Sequence, residues 1–335
     1  MLHHVTDLPP LRYLSAADVL AVAPDLDQRL ALAELTLRGL AAGADLPPKV
    51  AVHPRPDGSF GHAMPAFMRG DAADGTAERL GMKWVLGFGG NSSLGIPVIH
   101  GVLLLNDPTT GVATAILDAG PITAMRTAAV SGVVIRRFAP PTPGRPPRSA
   151  IIGAGVQGGS HVPVLGHVLP GTELSIFDPD PDRAAALAEL ARQTPGIAAA
   201  QVAASARDAI DGSDVVITVA SFVPPPERQV MTDEWLTPKA LVVPVDYATY
   251  CSAQVAHDAD LFIVDHTAQF LANRDAGNFD GYPDPDAMIG EVLDTPRPDG
   301  RVVATHLGTG LADVVFGGAM LAAAAERGIG TILVR

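Results

Sequence analysis

The chain has 335 residues, of which 47% are hydrophobic and 18% are charged. This composition provides enough apolar side chains for a buried core and too little charge for a disordered protein. The length exceeds that of an ordinary single domain, so two domains are predicted. The 23 basic and 36 acidic residues give a net charge of −13, and an acidic surface argues against nucleic acid as a partner, because it repels phosphate backbones.

Cysteine and histidine usage argues against disulfides and metal centres. The one cysteine, Cys251, excludes an internal disulfide and a cysteine metal cluster. The histidines His53, His100, His161 and His306 show no metal-ligand spacing, so no metal site is predicted. The first residues lack a basic segment followed by an apolar run, and no stretch of about 18 apolar residues occurs anywhere. We therefore expect a cytoplasmic protein without a membrane segment.

The N-terminal third has the pattern of a mixed α+β domain. Helices are predicted at 15–23, 27–42 and 123–138, and strands at 50–53, 82–88, 101–106 and 114–117. Turn residues separate the strands, which favours a mixed sheet. The few helices cannot cover both faces of that sheet, so a homodimer is expected.

The pattern changes after the proline-rich segment 139–148, which forbids helix interiors and sheet ladders and is predicted to be a stiff linker. Short Val- and Ile-rich runs then alternate with helical or loop segments, as in a parallel sheet with helices on both faces. Strands are predicted at 149–152, 173–177, 214–219, 240–245, 260–264 and 301–305, and helices at 182–193 and 311–327. The predicted fold is therefore α/β, with a Rossmann-type doubly wound parallel sheet beside the mixed domain.

A glycine motif follows the first of these strands. In Gly153-Ala-Gly-Val-Gln-Gly158, the first glycine permits a tight turn and the second, Gly155, allows the backbone to approach a pyrophosphate. The third lets the helix pack on the strand, and the helix N-terminus offers free amides to the phosphates. A chance match is conceivable in a chain with 34 glycines, but the strand before, the helix after and Asp178 twenty residues on predict dinucleotide binding.

The acid at the end of the second strand bears on which dinucleotide binds. Asp178 would accept hydrogen bonds from the ribose hydroxyls and would repel a 2′-phosphate, which favours NAD. Arg183 lies close enough in sequence to keep NADP as an alternative.

Three cations stand among apolar or small neighbours. Lys83 lies in a predicted strand, where an inward charge is costly unless it is paired. Arg126 lies on a helix with a small-residue face, where a guanidinium can hold a carboxylate through two parallel hydrogen bonds. Lys49 ends the turn formed by two prolines. The alternative interpretation is that all three are ordinary surface cations.

Five stretches of the chain together resemble the ornithine cyclodeaminase/mu-crystallin family. The resemblance covers nearly the whole sequence, and the Arg-Thr-Ala-Ala stretch joined by a short linker to Gly-Ala-Gly-Val-Gln is specific to this family. The stretches are His62-Ala-Met-Pro-Ala, Gly81-Met-Lys-Trp-Val, Asp107-Pro-Thr-Thr-Gly with the later Thr123-Ala-Met-Arg-Thr-Ala-Ala, Ile151-Ile-Gly-Ala-Gly-Val-Gln-Gly, and Leu307-Gly-Thr-Gly-Leu-Ala-Asp-Val.

The resemblance implies two domains with separate roles. A substrate-binding and dimerisation domain would comprise 1–122 and 312–335, and a Rossmann domain would comprise 123–311. It also implies NAD(P)-linked chemistry at the α-carbon of a small amino acid or its imine. By matching motifs, Lys83 and Arg126 would hold the substrate carboxylate, and Lys83 is also taken as catalytic. The other residues expected at the site are Lys49, His62 and Asn91 on the substrate side, and Thr127, Val156, Gln157 and Asp313 on the cofactor side.

Two positions depart from the pattern of ornithine cyclodeaminases. His62 stands where those enzymes have a glutamate that meets the distal amine of the substrate. Asp246 remains at the end of its strand as the expected acid/base, although its neighbours differ and an ordinary strand-end aspartate is the alternative. We therefore expect an amino-acid dehydrogenase or ketimine reductase. The alternatives are an ornithine or lysine cyclodeaminase that releases ammonia, an enzyme that condenses two amino acids, and a non-catalytic, cofactor-dependent binding protein.

Overall fold

The computed structural model describes residues 8–55, 58–70 and 76–335. The segment 1–7, on which the expected absence of a leader partly rested, lies outside them. The helices are α1 (Ala16–Ala21), α2 (Leu26–Ala41), α3 (Ala119–Phe138), α4 (Val156–Val168), α5 (Pro181–Arg192), α6 (Ala206–Ile210), α7 (Ala253–His257), α8 (Thr267–Asp275) and α9 (Gly310–Arg327). None of these helices is long and apolar enough to cross a membrane.

The strands of the described chain belong to two sheets. They are β1 (Leu11–Leu14), β2 (Val50–Val52), β3 (Ser59–Met68), β4 (Arg79–Phe88), β5 (Ile99–Asn106), β6 (Ala113–Asp118), β7 (Arg148–Ile152), β8 (Thr172–Phe177), β9 (Ile197–Val202), β10 (Val215–Thr218), β11 (Leu241–Pro244), β12 (Leu261–Val264), β13 (Ala287–Met288), β14 (Val302–Thr305) and β15 (Thr331–Leu333). The chain forms two compact units, one from Met1–Arg126 with Thr309–Arg335 and the other from Thr127–Gly308.

The first unit is built on a mixed sheet with the strand order β15-β1-β6-β5-β4-β3-β2. Among the strand pairs described in this sheet, β1–β6 is parallel and the others are antiparallel. The ten-residue strand β3 was not predicted from the sequence, because Gly61 and Pro65 interrupt its pattern. Strands β1 and β15 were also missed, since each is only three or four residues long.

Helix α9 packs on one face of this sheet. The residues of β4 alternate between the faces, and Gly81, Lys83 and Val85 are on the buried one. A methyl group on Gly317 of α9 would lie 2.2 Å from the side chain of Leu103 on β5, so glycine is required for the close approach of helix and sheet. Thr309 caps the helix by accepting a hydrogen bond from the Ala312 amide.

The second unit confirms the predicted doubly wound sheet. Its strands run in the order β13-β12-β14-β11-β10-β7-β8-β9, and every registered pair is parallel. From β7 the chain proceeds outward to β9 and then crosses to β10 on the other side of β7. This reversal places a topological switch point at the carboxyl ends of β7 and β10, which is where open α/β sheets bind their ligands.

Candidate active site

A buried cluster of three charged side chains lies inside the first unit. Lys83 Nζ is 2.5 Å from Asp313 Oδ2, and Arg126 Nε is 3.2 Å from Asp313 Oδ1. Lys83 is 1% exposed, Arg126 6% and Asp313 0%. Lys83 also donates to Thr123 Oγ1 at 3.4 Å. Lys83 and Arg126 are therefore buried, paired groups and not surface cations.

Three distant segments build this cluster. Strand β4 supplies Lys83 from the face covered by α9, and α3 supplies Arg126. Asp313 lies in the first turn of α9, where the helix dipole stabilises a negative charge. The carboxylate thus holds two cations that would otherwise repel each other in a low-dielectric site.

Burial brings the Lys83 ammonium close to titration at neutral pH. Its pKa falls from 10.5 to about 7, chiefly because burial disfavours the charged form; Asp313 opposes this effect and Arg126 reinforces it. A lysine in this state can exchange a proton near neutrality and, when protonated, can hold an anion.

Strand register extends the same face of the sheet towards its edge. Met64 pairs with Lys83, and Ala51 pairs with His62. Directly opposed residues share a face, and so do residues two apart on one strand. His62 and Lys83 therefore lie on one face, and Lys49, two residues before Ala51, continues it.

The charges around His62 are positive. The pKa of His62 falls from 6.5 to about 4, chiefly because of burial and further because of the nearby Lys49, His53 and Lys83. The imidazole is consequently neutral at pH 7, and it stacks on Phe60 with ring centroids 4.8 Å apart. The predicted residues Lys49, His62, Lys83 and Arg126 are thus brought together in the first unit.

Asn91 supports its own loop. It lies in the short 3₁₀ helix Gly89–Leu94, and its Nδ2 donates to the carbonyl of Pro97 at 3.0 Å. Its expected contact with substrate stays a prediction.

The glycine motif of the second unit has the geometry of a dinucleotide cradle. Gly153 has a φ of +109°, and a methyl group on Gly158 would lie 2.3 Å from the Gly153 carbonyl oxygen. A methyl group on Gly155 would contact no described protein atom within 4 Å. Backbone conformation and packing explain Gly153 and Gly158, whereas the open space at Gly155 fits the approach of a ligand.

The start of α4 is open to an anion. Its N-cap, Gly155, makes no side-chain hydrogen bond to the helix, and Val156 is 77% exposed. The Gln157 Oε1 atom is buried and has no hydrogen-bond partner among the residues that the structure describes. The free helix amides and the exposed first turn fit a bound pyrophosphate, whereas the unmatched Gln157 oxygen requires a donor. Thr127, on α3, is only 5% exposed.

Asp178 braces the glycine turn. Its two carboxylate oxygens accept hydrogen bonds from the backbone amides of Ala154, at 2.7 Å, and Asp180, at 2.9 Å. A carboxylate retains lone pairs for a further donor. Arg183 is exposed and forms an ion pair with Asp180 at 3.2 Å.

Asp246 is buried directly beyond the carboxyl end of β11, with 2% exposure. It accepts hydrogen bonds from Thr218 Oγ1 at 2.7 Å and from the Ala220 amide at 3.1 Å. Burial raises its pKa from 3.8 to about 7, although these hydrogen bonds oppose the shift. The next residue, Tyr247, has a φ of +58°, a strained conformation of the kind that concentrates at functional sites.

The sequence analysis did not predict two side-chain clusters of these units. Asp313 was expected near the cofactor, and its ion pairs with Lys83 and Arg126 had no local signal, because the partners are 230 and 187 residues away. Ser131 was not singled out, yet its hydroxyl lies 2.8 Å from both His161 and His306. Among the described residues, no group of acidic, histidine or cysteine side chains could hold a metal ion.

A glycine turn at the switch point of a doubly wound sheet, with a second sheet domain containing buried cations, defines a class of two-domain proteins with a dinucleotide-binding fold. Residues 16–293 match the model of the ornithine cyclodeaminase/mu-crystallin family, and the chain belongs to this family.

Several named proteins are similar to this chain in sequence or fold over most of its length. The nodulation efficiency protein NfeD of Rhizobium meliloti is 33% identical over 97% of this chain and 99% of its own length. Delta(1)-pyrroline-2-carboxylate reductase 2 of Burkholderia ambifaria is 31% identical over 75% of this chain and 74% of its own. The fold matches Thermococcus litoralis Delta(1)-pyrroline-2-carboxylate reductase, solved with NADH and L-proline, with a TM-score of 0.80, 23% identity and coverage of 96% and 99%.

Proposed function

We propose that the protein is an NAD(H)-dependent oxidoreductase that interconverts a small α-amino acid and its open or cyclic imine. The observation that carries this proposal is the buried cluster in which Lys83 and Arg126 share the one carboxylate of Asp313. Two cations held this way are preorganised for a substrate carboxylate. The name of the 31% identical Burkholderia ambifaria relative supports an imine as substrate.

The side chains of the chain have distinct roles in this proposal. Arg126 and Lys83 hold the substrate carboxylate, and Asp313 keeps both cations in place before and during binding. Lys83 also exchanges a proton near neutral pH, because burial has lowered its pKa to about 7. Asp246, whose pKa is raised to about 7, holds or releases the proton of the substrate nitrogen or of attacking water.

The cofactor supplies or accepts a hydride when it is bound. The amides at the start of α4 hold its pyrophosphate, and Asp178 accepts from its ribose hydroxyls. NADH in the Thermococcus litoralis structure, which shares the fold, supports this choice of cofactor.

NADH is expected to bind about tenfold or more tightly than NADPH, because Asp178 would face the 2′-phosphate. Fluorescence titration of both cofactors measures this preference. The Asp178→Asn variant removes the charge and one of the two acceptors for the backbone amides of Ala154 and Asp180. The readout is therefore the ratio of the two cofactor affinities, which should narrow, whereas Arg183→Ala should leave NADH affinity unchanged. A wild-type preference for NADPH would contradict the assignment.

Turnover assays test the activity itself. We expect NADH oxidation with Δ1-pyrroline-2-carboxylate, Δ1-piperideine-2-carboxylate, or an α-keto acid with ammonia or methylamine, and slower NAD⁺ reduction with proline or alanine. Release of ammonia from ornithine or lysine, with a cyclic product, would identify a cyclodeaminase instead. Cofactor binding without turnover of any of these compounds would identify a binding protein.

We also propose that the protein forms a homodimer through the first unit. The sheet face opposite α9 carries apolar side chains in two rows of cross-strand pairs. One row is Tyr13, Ile116, Leu104, Met82 and Pro65, and the other is Val102, Trp84, Ala63 and Val50. Val50 is 61% exposed and Val102 45%, and an apolar face of this kind commonly marks a protein interface.

Charge introduced into that face should dissociate the dimer. The Val102→Lys variant should elute as a monomer in light-scattering chromatography, because an unpaired charge would be buried at the interface. Val202→Lys is a matched control, since Val202 is 44% exposed on β9 of the other unit, and it should remain dimeric. A monomeric wild type would refute the proposal.

A further inference from the structure

Three polar side chains meet in the interior of the second unit. Ser131 Oγ of α3 lies 2.8 Å from His161 Nε2 of α4 and 2.8 Å from Nε2 of His306, the residue after β14. Their exposures are 0%, 1% and 1%. The His161 ring also contacts the backbone carbonyl of Gln157 through Nδ1, at 2.6 Å.

The donors and acceptors of this chain can be ordered in only one direction. A carbonyl oxygen only accepts, so Nδ1 of His161 carries a proton and donates to Gln157. Burial lowers the pKa of His161 to about 4, so the ring is neutral and its Nε2 is an acceptor. Ser131 must therefore donate its one proton to His161. Its oxygen then accepts from Nε2–H of His306.

The chain of hydrogen bonds ends in the first turn of α4. Gln157 is the second residue of that helix and lies two residues after the open N-cap Gly155. At the other end, His306 begins the connection to Gly308, whose amide donates to Asp265 Oδ2 at 3.0 Å. Ser131 thus links α3, the start of α4 and the segment that follows β14.

Three buried polar groups carry a desolvation cost that apolar side chains of similar volume would avoid. A chain of buried hydrogen bonds, however, restricts the orientation of the groups at its ends. Here the fixed group is the turn whose amides face the cofactor site.

We propose that Ser131 is a positioning residue for the dinucleotide: through His161 it fixes the first turn of α4 in the orientation that binds the pyrophosphate. The inference rests on the proposed function, because it takes a dinucleotide as the ligand of that turn. Ser131 itself touches neither substrate nor reacting atoms.

The test compares two buried serines in the full-length protein. Ser131→Ala removes the central hydroxyl, and Ser149→Ala is the matched control. Ser149 is 1% exposed on β7, and its hydroxyl forms a hydrogen bond with Thr172 Oγ1 of β8 at 2.8 Å. NADH affinity is measured by fluorescence titration, KM and kcat by imine reduction, and amide exchange of residues 156–160 by hydrogen–deuterium exchange without cofactor.

Ser131→Ala should weaken NADH binding about tenfold and accelerate amide exchange at the start of α4, with the KM for the imine unchanged. Ser149→Ala should do neither, even if both variants lose similar thermal stability. Equal effects of the two variants, or wild-type NADH affinity in Ser131→Ala, would overturn the inference while leaving the proposed function intact. Failure of the wild type to bind any dinucleotide would overturn both.

Nitrogen NMR of the wild type gives a second readout that does not depend on a variant folding. His161 should be the Nδ1–H tautomer and His306 the Nε2–H tautomer at pH 7. Two identical tautomers would contradict the direction of the chain and, with it, the role of Ser131.

Discussion

Replacing Arg126 with alanine is expected to lower kcat/KM for the imine substrate by about 10²-fold, with KM raised and kcat reduced together. The physical reason is the loss of charge-assisted, two-point binding of the carboxylate, which also orients the α-carbon. Because Arg126 lowers the pKa of Lys83, its removal should also move the titration of Lys83 to higher pH. Steady-state kinetics from pH 6 to 9 measure both effects.

Arg136→Ala is the matched control for this variant. Arg136 lies in the last turn of the same helix, α3, and is exposed. The substitution should leave the kinetics unchanged. If Arg126→Ala has wild-type kinetics, Arg126 does not bind the substrate.

Replacing Asp246 with asparagine is expected to reduce kcat by about 10²-fold or more, because a positioned acid or base is lost. The same variant should be more stable than the wild type above pH 7. The carboxylate is 2% exposed and its pKa is raised from 3.8 to about 7, so its ionised form is disfavoured in the folded state. Lower activity with higher stability is the signature of a functional group retained at a cost to the fold.

The pH dependence of that stability difference has a defined sign. Between about pH 4 and pH 7 the folded wild type binds more protons at Asp246 than the unfolded chain does, so its stability falls as the pH rises. The asparagine variant does not lose stability in this way. The difference in free energy of unfolding between the variant and the wild type should be small at pH 4, grow through this window and reach at most about 4 kcal/mol above pH 7.

Urea unfolding at pH 5 and pH 8 measures this difference. Asp286→Asn is the control for activity, since Asp286 is an exposed aspartate that accepts a hydrogen bond from the Phe262 amide. It should retain turnover. A wild-type rate in Asp246→Asn would show that Asp246 is an ordinary strand-end residue.

The sequence by itself determined the doubly wound unit and its glycine turn, because their signals are local. The strand β7, the glycines from Gly153 to Gly158 and the acid Asp178 lie within one βαβ segment, where spacing reflects geometry directly. The signals of the apolar strands of the parallel sheet are equally local. Lys83, Arg126 and Asp246 were predicted at the site because each is a charged residue among apolar or small neighbours or at a strand end.

The ion pairs that those charged residues form could be known only from the tertiary structure. Asp313 meets Lys83 and Arg126 because α9 returns to the sheet after the whole second unit, and no spacing rule encodes such a return. The strand β3 escaped prediction because its order comes from pairing with β2 and β4 and not from its own pattern. Likewise, Ser131, His161 and His306 are unremarkable until three elements bury them together. Charge pairing and burial depend on distance in space, and the sequence gives that distance only where the chain between the partners is short.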